Sequence, residues 1–469
     1  MAASAAVRVG QPRGSSAAMG SFSQRYRLGV ALFLFAALFV AGGASRLDEP
    51  RQMVARLACL IAMAASAWRL ERPLVTLPRS WRWFGLSVVL LLIAQLVPLP
   101  PRWWASLPGH RVYADIASAT GTVGWRPLTL TPDLTLNSLF ALLAPGSAIM
   151  VTLFLDTKAR TTLWTWVVGA ALVSAVLGLL QLSAEDAPLR FYRVTSIDSA
   201  VGIFANRNHQ AAFLACALPL LGALLGTRLQ KRPRLGLLAF GTVVIIVLMV
   251  GEIATTSRAG TLLGIAGVAG GLWTFRTSGG RIGGIKGHKP LLACAAVAVV
   301  LILIAVAASH EGVVSRFGDS DPASESRVKM IAPLLHTTGA FFPLGSGFGS
   351  FATVYRQFEP DALLSTIYMN EAHNEPLQLA IEGGLPALAL LVTFLWWWGA
   401  TAIALVRADL SQRRRPIANA AVLVSALLMA QSLVDYPLRT PLLAAMFALA
   451  CFEMMRGSAH LAREPEKAR

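Results

Sequence analysis

Apolar runs of membrane-spanning length recur along this sequence from residue 28 to residue 456, and that recurrence decides its fold. Each run is close to the ~20 residues that cross a bilayer as a helix. Spans are predicted at 28–45, 53–69, 84–99, 136–155, 163–182, 208–227, 236–253, 258–275, 291–308, 384–406, 417–434 and 440–456. Helix is the form these runs must take, because lipid offers no partner to a free backbone N–H or C=O. Composition agrees, with 14% of the residues charged against roughly 25% in a soluble chain. The expectation is an all-α polytopic membrane protein of about 12 transmembrane helices, with a helical periplasmic loop subdomain between spans 9 and 10.

The net charge of +17 reads as a topology signal, and a nucleic-acid-binding function is excluded on that ground. Twenty-five of the 41 Lys and Arg fall in the two termini and in alternate loops, RLERPLVTLPRSWR, TKAR, RLQKRPR, RTSGGRIGGIKGHK and RADLSQRRR. The positive-inside rule places both termini and these loops in the cytoplasm, where anionic lipid attracts them. The opposite loops, including 101–135, 183–207 and 309–383, are longer and mixed in sign. They are assigned to the periplasmic face of a bacterial inner membrane. The chain then divides into a flexible cytoplasmic tail (1–27), nine spans (28–308), the large periplasmic loop (309–383), three spans (384–456) and a second tail (457–469). The first run, LGVALFLFAALFV, is read as an uncleaved anchor because further spans follow it. Cys59, Cys216, Cys294 and Cys451 lie inside apolar runs without metal-ligand spacing, as small buried hydrophobes do.

Polar residues gather on the periplasmic side. One island, FYRVTSIDSAVGIFANRNHQAAF, runs into the sixth span, where Asn208 and His209 are read as capping residues. A second, GEIATTSRAGTLL, joins the seventh and eighth spans. Arg258 there sits at or just above membrane depth, where an unpaired charge costs about 2.5–3.5 kcal/mol. It is either a functional cation or an arginine snorkelling to headgroups. In the largest loop, SESRVKMIAPLLHTT predicts an amphipathic helix capped by Ser324. The glycines of FFPLGSGFGSF predict a structural turn, since no strand precedes them and no Lys-Ser/Thr follows to hold a nucleotide. Trp396, Trp397 and Trp398 lie within a span and read as packing residues.

The ordered elements FANRNHQAA, TTSRAG, PLGSGFGSF and EAHNEPLQLAIEGGLP, with SLVDYPLRTP between the last two spans, resemble the bacterial O-antigen ligase superfamily. The resemblance covers roughly residues 85–456, and the superfamily also contains O-antigen and exopolysaccharide polymerases and protein O-oligosaccharyltransferases. It implies en bloc transfer of a glycan from undecaprenyl diphosphate to an acceptor hydroxyl, at the periplasmic face and with no metal or cofactor. Guanidinium groups suit the departing diphosphate because their planar fork binds phosphate oxygens bidentately and stays charged. Arg258 and Arg193 are the candidates, followed by Arg207, which stands where the family often has proline. Stabilising the leaving diphosphate is then the largest catalytic contribution. His373 is the candidate to take the acceptor's proton, and Asn374 and Arg327 to organise the loop or the acceptor. Glu371, Glu375 and Glu382 cluster around His373. They make a paired-carboxylate hydrolase conceivable, although transfer needs no such pair.

A single displacement inverts the anomeric carbon, so an inverting glycosyltransferase is expected. The favoured acceptor is lipid A-core, with a growing glycan, as in a polymerase, as the alternative and a protein side chain third. Other expected partners are membrane lipids and polysaccharide-assembly proteins. Two readings from other classes stand beside it, a lipid-linked glycan flippase and an assembly scaffold. The spans carry few polar residues, chiefly Arg56 and Glu252, whereas transport pathways line the midplane with ionisable groups and broken helices.

Overall fold

The computed structural model describes residues 13–46, 50–68, 77–183, 189–231, 235–280, 329–364, 369–408 and 416–461. These residues are predominantly helical, with almost no sheet. In chain order the long helices are α1 (Arg13–Ala41), α2 (Arg51–Trp68) and α3 (Arg79–Gln95). The short α4 (Pro101–Ser106) and α5 (Arg111–Ala119) follow, then α6 (Pro132–Ala141), α7 (Leu143–Thr152), α8 (Thr157–Ser183), α9 (Arg207–Lys231), α10 (Leu235–Ala254) and α11 (Arg258–Thr277). The remaining helices are α12 (Ile331–Phe341), α13 (Phe351–Tyr355), α14 (Glu375–Arg407), α15 (Pro416–Ser432) and α16 (Pro441–Leu461). A two-residue antiparallel ribbon pairs Pro98 with Pro127 and Leu99 with Arg126.

Seven segments among the described residues are long and apolar enough to cross a membrane, within α1, the α6–α7 rod, α8, α9, α10, α14 and α16. Helices α2, α3, α11 and α15 occupy the other predicted spans that fall on described residues. The ninth predicted span, 291–308, lies outside them, as do Ser324 and Arg327. Within the described part of the large loop the helix is Ile331–Phe341.

Helix α9 is the axis of the bundle, packed by α8, α10, α11 and α15. Its closest neighbour is α11, whose glycines recur on one face and let the two backbones approach. A methyl group added at Gly267 would stand 2.7 Å from the Ala215 carbonyl oxygen. Pro219 lies inside α9, and the Thr274 hydroxyl donates to its carbonyl at 2.8 Å, which ties α11 to α9 at that point.

At one end of the bundle α1, α8, α10 and α15 finish and α2, α9, α11, α14 and α16 begin, and hydrogen bonds tie these ends together. Leu442 N–H donates to the Gly42 carbonyl at 3.0 Å, Ala205 N–H to Gly43 at 3.1 Å and Ala200 N–H to Ala254 at 3.0 Å. We call this the outer end, because it carries the loops assigned to the periplasm. At the opposite end Arg160 pairs with Glu453 at 2.6 Å and Gln24 donates to the Phe154 carbonyl at 3.2 Å. The basic TKAR loop and the C-terminal helix end, which charge patterning places on one side, thus meet in space.

Helix α14 breaks at Gly384 (φ 58°, ψ −150°), a conformation that needs glycine. The break separates a buried outer segment, Glu375–Gly383, from the apolar remainder of the helix. The GSGFG turn packs into it. Gly345, Gly347 and Gly349 all have positive φ, and the Ser346 and Gly347 amides donate to the Ile381 and Glu382 carbonyls, each at 2.9 Å. The structural-turn reading of this motif therefore holds. Above it Met330, Leu334, Phe341, Phe351, Val354, Tyr355, Ala372 and Ile381 form a small core of their own.

Candidate functional site

A cavity of about 710 Å³ opens at the outer end. Arg46, Arg356 and Arg439 line it together with Asn370, Glu371, Glu375 and Glu382, while α2 contributes Gln52, Ala55, Arg56 and Cys59. With a rise of about 1.5 Å per residue, this face of α2 carries the cavity along the helix away from its polar rim, and Ala55, Cys59, Phe140, Ala141 and Ala144 make an apolar wall. Arg56 is held half-way down. It donates to Gln52 Oε1 at 3.2 Å and to Asn137 Oδ1, and its guanidinium lies over the Phe140 ring, 5.9 Å from the centroid.

One wall of the cavity is a network of charged groups. Arg439 places Nη1 3.3 Å from Glu371 Oε2 and Nη2 3.2 Å from Glu382 Oε2. Gln378 donates from Nε2 to Glu371 Oε2 at 2.5 Å and to Glu382 Oε1 at 3.1 Å. Glu375 accepts from the Leu438 amide at 3.2 Å. Burial pushes the Glu371 carboxyl above the usual carboxylate range, and nearby Arg439 only partly opposes it.

Beside this wall a second polar cluster is built around the hairpin between α15 and α16. Tyr436 meets the His373 ring edge to face at 4.9 Å between centroids and the His209 ring at 5.2 Å. Its hydroxyl faces the side chains of Asn370 and Asn206. Asp435 is fully buried, receives the Asn208 amide, and lies 3.6 Å from His209 Nε2. Asn208 in turn accepts from Ser257 Oγ at 2.8 Å. Ser257 caps α11, accepting from the Gly260 amide at 3.0 Å, and Arg258 follows as the first residue of that helix. The starts of α9, α11 and α14 are therefore tied to one cluster, and their partial positive charges favour an anion there.

Backbone geometry marks the same place. Among the described residues two non-glycine positions have positive φ, Thr256 at 54° and His373 at 51°. For a β-branched residue this is unusual, and such strain collects where surrounding structure enforces a functional geometry. Thr256 Oγ1 accepts from Arg207 Nη1 at 3.1 Å and contacts Ser199 Oγ at 3.1 Å.

The sequence candidates divide accordingly. His373 meets Tyr436 and Arg207 meets Thr256 in this cluster, while Arg258 follows Ser257 at the start of α11. The His373 Nδ1 lies 2.9 Å from the Glu371 carbonyl oxygen. Asn374 organises the loop. It caps α14 by accepting from the Leu377 amide at 3.0 Å and donates to the Leu433 carbonyl at 3.0 Å. Arg193 is exposed on the neighbouring 189–206 segment. Arg327 falls outside the described residues. The expected capping by Asn208 and His209 is corrected: Asn206 Oδ1 accepts from the Asn208 amide at 2.8 Å, which frees Asn208 and His209 to face Asp435. Sequence reasoning did not single out Arg46, Arg356, Arg439, Gln378, Asp435 and Tyr436. It noted Arg56 only as a polar residue within a span.

Residues 243–392, just under a third of the chain, match the family model described as O-antigen ligase. The matched segment runs from α10 into α14 and includes both TTSRAG and EAHNEPLQLAIEGGLP. It is consistent with the O-antigen ligase superfamily. No curated protein matches the chain. The protein is thus a multi-pass membrane protein with a segment similar to the O-antigen ligase family, and that match supports a ligase- or polymerase-type role in membrane glycosyl transfer.

Proposed function

We propose that this protein moves a saccharide from undecaprenyl diphosphate to an acceptor hydroxyl at the periplasmic face of the bacterial inner membrane, with lipid A-core as the acceptor. The observation that carries the reading is the pairing of strained Thr256 and His373 on one cluster, within the segment that matches the ligase family. In the reaction the acceptor oxygen attacks the anomeric carbon, gives its proton to His373, and the diphosphate departs with the bonding electrons. Arg258, with Arg207 and Arg193 behind it, neutralises the charge that develops on the leaving group. The adjoining cavity suits an amphiphile with an anionic head. Arg46 and Arg356 on its rim suit phosphate oxygens, and its apolar wall suits isoprenoid carbon. The single displacement inverts the anomeric centre and uses no metal.

Complementation of a deletion strain tests this directly. Arg258→Ala and His373→Ala proteins are expected to insert normally and to leave surface glycan unmade. Long lipid-linked chains would accumulate for a ligase and single repeats for a polymerase. Normal surface glycan from both variants would remove the transferase reading in favour of a flippase or a scaffold, and donor translocation in liposomes then separates those two.

A further inference from the structure

We propose that Arg439 and Gln378 are positioning residues for His373, acting as a buried clamp that sets the orientation and tautomer of its imidazole. The inference rests on the reading of His373 as the proton acceptor. Gln378 is buried one turn inside α14 and holds the preceding loop at two points. Its Oε1 accepts from the Ala372 amide at 2.9 Å while its Nε2 donates to the Glu371 side chain at 2.5 Å. Arg439, arriving from the hairpin before α16, draws the same Glu371 carboxylate to within 3.3 Å and secures Glu382 at 3.2 Å with its other terminal nitrogen. Residues 371 and 372 are thereby fixed in side chain and backbone. His373 comes next, in the left-handed conformation, and Asn374 closes the segment as the cap of α14.

The chemical consequence lies in the Glu371 carbonyl. It stands 2.9 Å from His373 Nδ1, and a carbonyl can only accept, so Nδ1 carries the proton and donates. The other nitrogen, Nε2, then holds the lone pair that can take a proton from a hydroxyl. A carbonyl that drifts releases this choice of tautomer. The clamp also explains why an arginine in the cavity wall is not a phosphate ligand. Both of its terminal nitrogens already face carboxylates. Lysine cannot replace it, because a single ammonium lacks the two-pronged fork that spans Glu371 and Glu382. Burying so many charges costs more than an apolar wall of the same shape, and precise placement of His373 is what they supply in return.

The test uses the full-length protein in proteoliposomes with lipid-linked donor, comparing Arg439→Lys, Gln378→Met and His373→Asn. Transfer kinetics are read together with the ¹⁵N signals of the His373 ring, assigned by their loss in His373→Asn. Arg439→Lys and Gln378→Met are expected to lower kcat about 10- to 100-fold, to leave KM for the donor unchanged, and to convert the His373 signal from the Nδ1–H form to a mixture. Gln378→Met keeps the shape of the side chain, so it reports on the clamp should Arg439→Lys fold poorly. Wild-type kcat in both clamp variants, or a fall in kcat with the ring signal unmoved, overturns the inference while loss of transfer in His373→Asn leaves the parent reading standing. Normal transfer by His373→Asn removes the parent reading itself.

Discussion

Asn208 near the start of α9 and Asp435 in the hairpin after α15 are hydrogen-bonded across 227 positions of sequence, and this contact joins the two halves of the site. Through Ser257 it reaches the first turn of α11, and through the neighbouring Tyr436 it reaches His373. A residue at either end of this path is positioned by helices distant in the chain.

His373 has a backbone role separable from its ring. Its φ of 51° costs about 1–2 kcal/mol for most residues, with asparagine among the exceptions. His373→Asn is therefore expected to melt in detergent close to wild type while transfer falls about 10²- to 10⁴-fold. His373→Ala should lose transfer too and be less stable than His373→Asn by about 1–2 kcal/mol, because alanine bears the left-handed cost that asparagine avoids. Equal melting of the two variants would contradict the strain argument.

Gly384 should tolerate no side chain. A β-carbon there would stand 2.6 Å from the Leu344 carbonyl carbon and 2.7 Å from the Gly345 nitrogen, contacts with backbone that cannot rotate away. Gly384→Ala is expected to cost about 2 kcal/mol or more and to reduce the amount of folded protein recovered from membranes. A wild-type melting temperature would show that the α14 break is not fixed by this packing.

Glu371 gives a pH dependence with a definite sign. Burial raises its carboxyl in the folded protein, with Arg439 and Gln378 opposing and Glu382 adding to the rise. A carboxyl raised on folding stabilises the fold below its unfolded-state value, and that contribution is lost as pH rises through the folded-state value. The melting temperature of wild type relative to Glu371→Gln should therefore be greatest in acid and decline as pH increases. A difference independent of pH would place the carboxylate in a solvated setting.

At the opposite end, Arg160 and Glu453 form a buried pair at 2.6 Å. Removing one partner strands a charge, so Glu453→Gln should destabilise by about 3–5 kcal/mol. The double change Arg160→Met with Glu453→Leu should recover most of that loss. A double variant as unstable as the single one would show that the pair does more than satisfy itself.

The helices were legible because lipid permits few alternatives to an apolar run, and the Gly384 break falls where the tenth span is predicted to begin. The TTSRAG and EAHNE elements were legible as well, since polar residues stand out between apolar spans. The cavity was not. Arg46, Arg356 and Arg439 look in sequence like ordinary cations near helix ends, and what makes them a rim is the meeting of α2, the GSGFG turn and the α15–α16 hairpin. Asp435 and Tyr436 stand in the SLVDYPLRTP element, but their roles were hidden for the same reason. Their partners Asn208, His209 and His373 lie on other helices, and neither periodicity nor spacing encodes such contacts.

The most direct test is transfer by purified protein in liposomes containing lipid-linked glycan and lipid A-core, with the anomeric configuration of the product determined by NMR. Wild type is expected to give product of inverted configuration, while Arg258→Ala and His373→Asn, inserted and folded as wild type, give none. Product of retained configuration, or equal transfer by both variants, would contradict the account.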